Sequence, residues 1–465
     1  MEEIRMLQSS AMGYGSVSWE LVSKGLELEP HIIVGQGTSS DPGPAYLGAD
    51  ELYGYVGKAN KKRDIALILR AAHEARIPFV FSGGSPSGSD IQLEGVLQIV
   101  NELCRENGWQ FKIAVISGEV GRDYLLRRLA EGTRMPRLAP SSRLSPLLTE
   151  EDVLASKRIV AQMGPEPVME ALASGVDGVI CGRALDVGLH MAFPLIHGFD
   201  RSVVAHMAKV MECGALCASP PLNDNVFARL RRDHFLIMPL HPGRRCTVSS
   251  VAAHTFYERP DVTREINPGG YLDLSNAQYV QIDERTTRGS GARWGNLPYT
   301  VKLEGVRFVG YRTISIAGIR DKRMVRSLRS LEAEVVARTA TKFGRPEDVG
   351  YRVAFANLGL GAVLGPAEPS PDVLPTEAGI VITVVASSQD LAASVCSYVR
   401  GQLFFGEYPQ RTSTSGNMAI FLSPADISIG PAYEWSVWHA LPLDDPSEPF
   451  QGRLVGFPND EFVDE

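Results

Sequence analysis

A chain of 465 residues is longer than one average domain and points to two or three. Hydrophobic residues at 44%, charged residues at 22% and a net charge of −8 fit an ordinary globular core and lack the concentrated basic face that nucleic acid needs. No run approaches the ~20 apolar residues of a membrane helix, no basic and apolar leader opens the chain, and six scattered cysteines read as free thiols, so a cytoplasmic protein is expected.

In chain order, HIIVGQGT at 31–38 is a short apolar run ending in glycines, a buried strand entering a loop. Residues 60–76 carry Ile65, Leu69 and Ala72 at helical spacing, and Pro78 ends that helix. PFVFSGGS repeats the strand-to-glycine pattern, and residues 90–106 form a second amphipathic helix with an acidic start. FKIAVISGEV is a third strand, and RDYLLRRLAEG a helix stopped at Gly132. A Pro-, Ser- and Arg-rich surface loop runs from Met135 to Leu148, and a helix leads into VAQMGPEP. After another helix, DGVICGRALD is a further strand and loop. This alternation predicts an α/β fold, a mainly parallel sheet with helices on both faces, whose strand-to-helix loops share one edge where ligands sit.

From about Asn267 the pattern alternates apolar and polar residues, as antiparallel strands do; a long helix follows at 322–343. YRVAFANLGLGAVL, GIVITVVAS and SQDLAASVCSYVRGQLFF then read as strand, strand, helix, a small α+β and ferredoxin-like domain. The expected divisions are 1–265, 266–345, 346–443 and an acidic surface tail at 444–465.

The strand-end loops carry the candidate chemistry. They hold Gln36, Thr38 and Asp41, then Ser82, Gly83, Gly84, Ser85 and Asp90, then Ser117 and Glu119, then Gly164 and Glu166, then Arg183 and Asp186. Gly83 and Gly84 free backbone N–H groups before a helix, which suits a carboxylate or phosphate, although such glycines also make plain tight turns. Arg183, after an apolar strand, either clamps a substrate carboxylate or pairs with Asp186 or Glu166. Glu119 and Glu166 are candidate acid and base if they share one cleft; each alone is as readily a helix cap or ion-pair partner. In HMAKVMECGALC, His206, Lys209, Glu212 and Cys213 fall near one helical face, and Cys213 and Cys217 make a single short spacing. Metal sites show more ligands at fixed spacing, so no metal is assigned here. A Cys213 thiol activated by His206 is one alternative. His254 and Tyr257, three apart in SVAAHTFYE, are an acid–base pair if they face the cleft, and core residues otherwise. The dinucleotide, Walker, zincin and nucleophile-elbow motifs are absent.

GTSSDPGPAYLG, VAQMGPEP, GVICGRALD, HMAKVMECGALCA, RRCTVSSVAAHTFYE, YTVKLEGVRFVGYRTISIAGIRD and FLSPADISIGPAYEWSVWH occur in order from about residue 4 to 440. This set resembles the acyclic terpene utilisation, AtuA-like family, and the last hundred residues before the tail resemble its small ferredoxin-like companion. The resemblance implies a setting beside acyl-CoA-processing enzymes for branched or terpenoid acids. It carries Asp41, Glu119, Glu166, Arg183, Asp186, His206, Glu212, Cys213, His254 and Arg312 as matching positions without roles. The expected function is proton transfer next to a carbonyl of a small anionic carboxylate or acyl thioester, by a lyase, hydratase or isomerase. A cysteine-dependent hydrolase or transferase and a non-catalytic scaffold subunit are the alternatives. No cofactor is indicated, no nucleic-acid or membrane partner is expected, and a homo-oligomer is.

Overall fold

The structure, a computed structural model, describes the chain apart from residues 12–17, 54, 56, 84–85, 140, 142–143 and 463–465 and the side chains of 10 and 11. The chain divides into two compact units, Met1–Arg307 with Trp435–Glu465, and Phe308–Glu434. These bounds differ from the divisions expected at 265, 345 and 443.

The first unit begins with β1 (Ile4–Ala11), α1 (Trp19–Leu26), β2 (Ile32–Gln36), α2 (Pro44–Gly48), α3 (Lys58–Ala75), β3 (Phe79–Ser82), α4 (Asp90–Asn107) and β4 (Phe111–Ile116). It continues with α5 (Arg122–Ala130), α6 (Glu150–Ala155), β5 (Arg158–Ala161), α7 (Pro165–Ala173), β6 (Gly178–Cys181), α8 (Asp186–Ile196) and α9 (Arg201–Met211). Then come β7 (Val226–Leu230), β8 (His234–Pro239), α10 (Val248–Phe256), β9 (Arg264–Asn267), β10 (Gly270–Asp273), β11 (Gln278–Gln281), β12 (Thr287–Ser290) and β13 (Arg293–Asn296).

Strands β1, β2, β3, β6 and β4 lie side by side in parallel. Antiparallel strands extend both sides, β7, β8, β12 and β11 from β1, and β19 (Gly452–Phe457) from β4. The sheet is therefore parallel only at its centre. β19 also corrects the expectation of a surface tail, because its backbone completes the open edge of β4. Another correction concerns VAQM: the entering helix stops at Ala155, and β5 leaves the parallel sheet to pair antiparallel with Leu303–Val306.

Period-two alternation divides the core between the two faces. Leu7, Ile33, Phe79, Phe81, Ile113 and Val115 pack against α1, α3 and α4. Met6, Val34, Val80, Ala114 and Ile116 pack on the opposite side, with α7, α8 and α9. Both faces are covered, as a parallel sheet requires.

The second unit contains the later part of β14 (Thr300–Ile319), then α11 (Lys322–Phe343), α12 (Pro346–Val349), β15 (Tyr351–Leu358), β16 (Ala378–Ala386), α13 (Gln389–Phe404), β17 (Ala419–Ile420) and the start of β18 (Asp426–Pro442). β16 lies between β15 and β14, antiparallel to both. Val325, Leu328 and Leu331 of α11 and Val395 and Val399 of α13 share a core with Ile380, Ile382 and Val384. Among the described residues, no helix is long and apolar enough to cross a membrane.

In the first unit the strand-end loops bond to one another. Arg183 N–H donates to Gly88 O at 3.1 Å, Gly182 N–H to Ile116 O at 2.8 Å, Met163 N–H to Arg183 O at 3.3 Å and Ser39 N–H to Pro86 O at 2.5 Å. A Cβ on Gly118 would sit 2.1 Å from the Arg183 nitrogen, so only glycine lets these backbones meet. The Gly118→Ala protein should lose about 1–3 kcal/mol of stability by this overpacking. Urea unfolding would show it as a lower midpoint at unchanged slope.

Candidate active centre at the sheet edge

Arg183 is 4% exposed and sits where the loops meet. Its Nε donates to Glu304 Oε2 at 2.8 Å, its Nη2 to Oε1 at 3.4 Å, and its Nη1 to the Thr38 and Ala184 carbonyls at 3.0 Å each. Glu304, 1% exposed, also receives Lys302 Nζ at 2.9 Å and Gln162 Nε2 at 3.0 Å. The partner is thus neither Asp186 alone, whose Oδ1 stands 3.9 Å from Nη1, nor Glu166. A carboxylate of the chain occupies the fork expected to clamp a substrate. Glu304 reaches it because β5 and β14 pair in register there, a relation with no sequence signal. Thr38 is likewise bound into this node, while Asp41 is exposed. Gly83 N–H bonds to Cys181 O at 2.5 Å and is not free for an anion; Gly84 and Ser85 lie outside the described residues.

Glu119 and Glu166 belong to separate networks. Glu119 Oε1 accepts from the Asp90 N–H at 2.9 Å and stands 3.6 Å from Arg158 Nε. Burial, and then the charge of Asp90, push its carboxyl up. A cavity of about 310 Å³ lined by Asp90, Glu94, Ser117 and Arg453 lies in this region. Glu166 accepts from Arg201 Nη2 at 2.8 Å and from the Tyr299 hydroxyl at 2.5 Å. Among the described residues, the expected acid–base pair of Glu119 and Glu166 shares no hydrogen-bond partner.

A third cluster gathers the later candidates. Asp186 opens α8 beyond the end of β6, and Gln36 at the end of β2 hydrogen-bonds to it. Lys209 on α9 donates to Glu212 Oε1 at 2.6 Å and stands 4.5 Å from the centre of the Tyr257 ring. Cys213 Sγ is 3.5 Å from the Tyr257 hydroxyl, and the His254 ring stacks on Tyr257 at 4.8 Å. Ligand atoms of Glu212, Cys213 and His254 lie within 4.8 Å of one another. Arg259 and Glu265 pair at 3.0 Å, and Glu265 adds its charge to that of Glu212 at Lys209.

Local structure places these groups. α9 ends at Met211, and Gly214 at φ +62° turns the chain. A Cβ there would meet Asp224 O at 2.3 Å. Gln8 at the β1 end fixes the Glu212 carbonyl at 2.9 Å. α10 begins with a capping box of Thr247 and Ser250, which sets His254 in its last turn and Tyr257 just past it. Cys213 therefore lies beyond the helix and faces His254 instead of His206. His206 is fully buried, bonded through Nε2 to the Tyr279 hydroxyl at 2.9 Å, and burial drives its pKa down to about 3. It is a core histidine, buried away from the site where the sequence reading placed it as thiol base or substrate-binding residue.

Burial, and next the charge of Glu212, push Asp186 up to about 7 against the pull of Arg183. Its side chain remains 27% exposed, and its Oδ1 lacks a hydrogen-bond partner among the described residues. Burial pushes His254 down to about 4 and the Cys213 thiol and Tyr257 phenol up. At neutral pH the centre thus holds a neutral imidazole, a thiol, a phenol, a charged Lys209 and a carboxyl poised between its two forms. Arg312 belongs to the second unit, where its carbonyl accepts from Gln389 Nε2 at 3.2 Å.

A mixed α/β unit with a cluster of shifted titratable groups at the carboxyl edge of its parallel strands is what the first unit presents. Residues 54–221 match the model of the acyclic terpene utilisation family protein AtuA, and over that stretch the chain is similar to that family. The match takes in Arg183, Asp186, Lys209, Glu212 and Cys213, while His254, Tyr257 and Glu304 lie beyond it. No curated protein and no solved structure matches the chain.

Removing Glu304 strands the buried Arg183. Glu304→Gln should cost about 3–5 kcal/mol, and Arg183→Met with Glu304→Met should recover most of the loss. Burial opposes the charge on Glu304, yet Arg183 and Lys302 hold it down to about 2 from an ordinary 4.5. A depressed carboxylate contributes fully above its unfolded value, so this stability is present above pH 4.5 and declines as pH falls toward 2. Urea midpoints across that range should fall less steeply in the double variant.

Proposed function

We propose that the chain is an enzyme that moves a proton next to the carbonyl of a small carboxylate or acyl thioester, as a lyase, hydratase or isomerase, at the Asp186 cluster. The observation that carries this is the partly exposed Asp186 side chain at the sheet edge, whose buried Oδ1 accepts no hydrogen bond among the described residues and stands 3.9 Å from Arg183, beside Lys209, Glu212, Cys213 and His254. Asp186 serves as the base, and its position between two protonation states near neutrality suits that work. The Tyr257 phenol, neutral and next to Lys209, is the partner acid. The name of the matched family, acyclic terpene utilisation, supports a branched apolar acid as the substrate class. We also read the second unit as ferredoxin-like, which its strand–helix–strand–strand–helix–strand succession supports.

One observation favours a second reading. Cys213 faces His254 across less than 4.8 Å, so a thiol hydrolase or transferase would use that pair in place of Cys213 with His206. Burial raises the thiol, which disfavours the reactive thiolate.

The two readings separate by experiment. Asp186→Asn should slow solvent-deuterium exchange beside the carbonyl of a branched acyl thioester by about 10²–10⁴-fold while binding persists. Intact-mass analysis after mixing the chain with the thioester should show no acyl adduct on Cys213 if the proton-transfer reading holds, whereas a thiol hydrolase or transferase would form one. Full exchange in the Asp186→Asn protein removes Asp186 from the mechanism.

A further inference from the structure

We propose that Glu212, Cys213 and His254 form a binding site for one divalent transition-metal ion, zinc by the chemistry of its donors. The ion deepens the reading of this centre, and its use in catalysis rests on that reading. One carboxylate oxygen, one sulfur and one imidazole nitrogen lie within 4.8 Å of one another. An ion would draw them in to the ~2.0–2.3 Å of zinc coordination.

A second, independent observation falls on one of the three donors. His254 is 6% exposed, and its Nε2 has no hydrogen-bond partner among the described residues. A buried polar nitrogen left without a partner is costly, and a metal ion is a partner that satisfies it. The donors come from places rigidly held for other reasons. Glu212 and Cys213 sit between the end of α9 and the obligatory turn at Gly214, and His254 is on a capped helix.

The donor set decides the ion. Calcium and magnesium take oxygen ligands, whereas sulfur and imidazole select zinc and its neighbours. A thiolate and a carboxylate match the two positive charges of the ion, so the ion and its three ligands together carry no net charge. On binding, the Cys213 S–H bond breaks, a sulfur–metal bond forms and the proton leaves to solvent. Three protein ligands leave a position open for water or a substrate oxygen, unlike closed structural zinc sites.

Outer partners are in place for two of the three. Lys209 holds Glu212 by Oε1 at 2.6 Å, and as an ammonium it has no lone pair with which to compete for the ion. The Tyr257 hydroxyl lies 3.5 Å from Cys213 Sγ. Such groups orient ligands and tune affinity.

The full-length chain is stripped with a chelator, reloaded with zinc or cobalt(II), desalted and measured for bound metal. One ion per chain is expected, with a thiolate-to-metal absorption band in the cobalt form. Cys213→Ser should remove that band, and His254→Ala should weaken zinc by more than the roughly 10–100-fold that outer partners are worth. Asp186→Asn should keep the metal. Circular dichroism and melting identify any variant that fails to fold, and the wild-type cobalt band tests the site without one. A wild-type chain that retains no ion, a cobalt spectrum without the thiolate band, or variants that bind as the wild type does would overturn the site. Metal retained with no deuterium exchange counts against the reaction and leaves the site standing. Exchange without metal does the reverse.

Discussion

The ion pair between Arg183 and Glu304 is the constraint around which the sheet edge is arranged. Two charges, both nearly removed from water, would each cost several kcal/mol alone. Their geometry offsets that cost, because Lys302, Gln162 and the Thr38 carbonyl occupy the remaining hydrogen-bonding positions. Such a pair adds little net stability over an apolar replacement. It ties the loop after β2 and the loop after β6 to a strand far along the chain, and the backbone of Arg183 is in turn bonded to Gly88 and Met163.

With the guanidinium neutralised from within, the titratable groups left less evenly matched at this edge are those of the neighbouring cluster. There the charges are less evenly matched. Lys209 and Arg259 face Glu212, Glu265 and Asp186, and burial adds to the repulsion between carboxylates. The result is a carboxyl displaced toward neutral pH and an imidazole kept uncharged, an arrangement found at sites of function more often than in structural networks. Unpartnered atoms on Asp186 and His254 are departures from a satisfied interior, and they lie where parallel strands end. The two carboxylates proposed as acid and base from their loop positions belong to other networks: Glu166 with Arg201 and Tyr299, Glu119 with Asp90 and Arg158.

Periodicity and turn chemistry made much of the fold legible. Helices α3, α4, α11 and α13 lie close to where spacing and caps put them, and the strands before GQGT, SGGS and SGEV are where apolar runs end in glycine. Less visible were β1, β7 and β8, which join the sheet through pairing with strands remote in sequence. The site was partly legible. Asp186, Cys213, His254 and Tyr257 were all named from residue type and position. Lys209 and Glu212 were seen on the same face, and Glu304 escaped notice because an acidic residue in an alternating strand looks like a solvent-facing one.

The sequence by itself determined where the α/β alternation runs, that its strand-end loops share one edge and which titratable side chains lie in them, since these depend on local spacing, turns and handedness. Only the tertiary structure decided which groups meet: that Arg183 is met by Glu304, that Cys213 turns to His254 and away from His206, and that Glu119 and Glu166 stay apart. The reason is that burial and partner choice are properties of strand register and helix packing between distant segments, and a side chain's charge state follows from them.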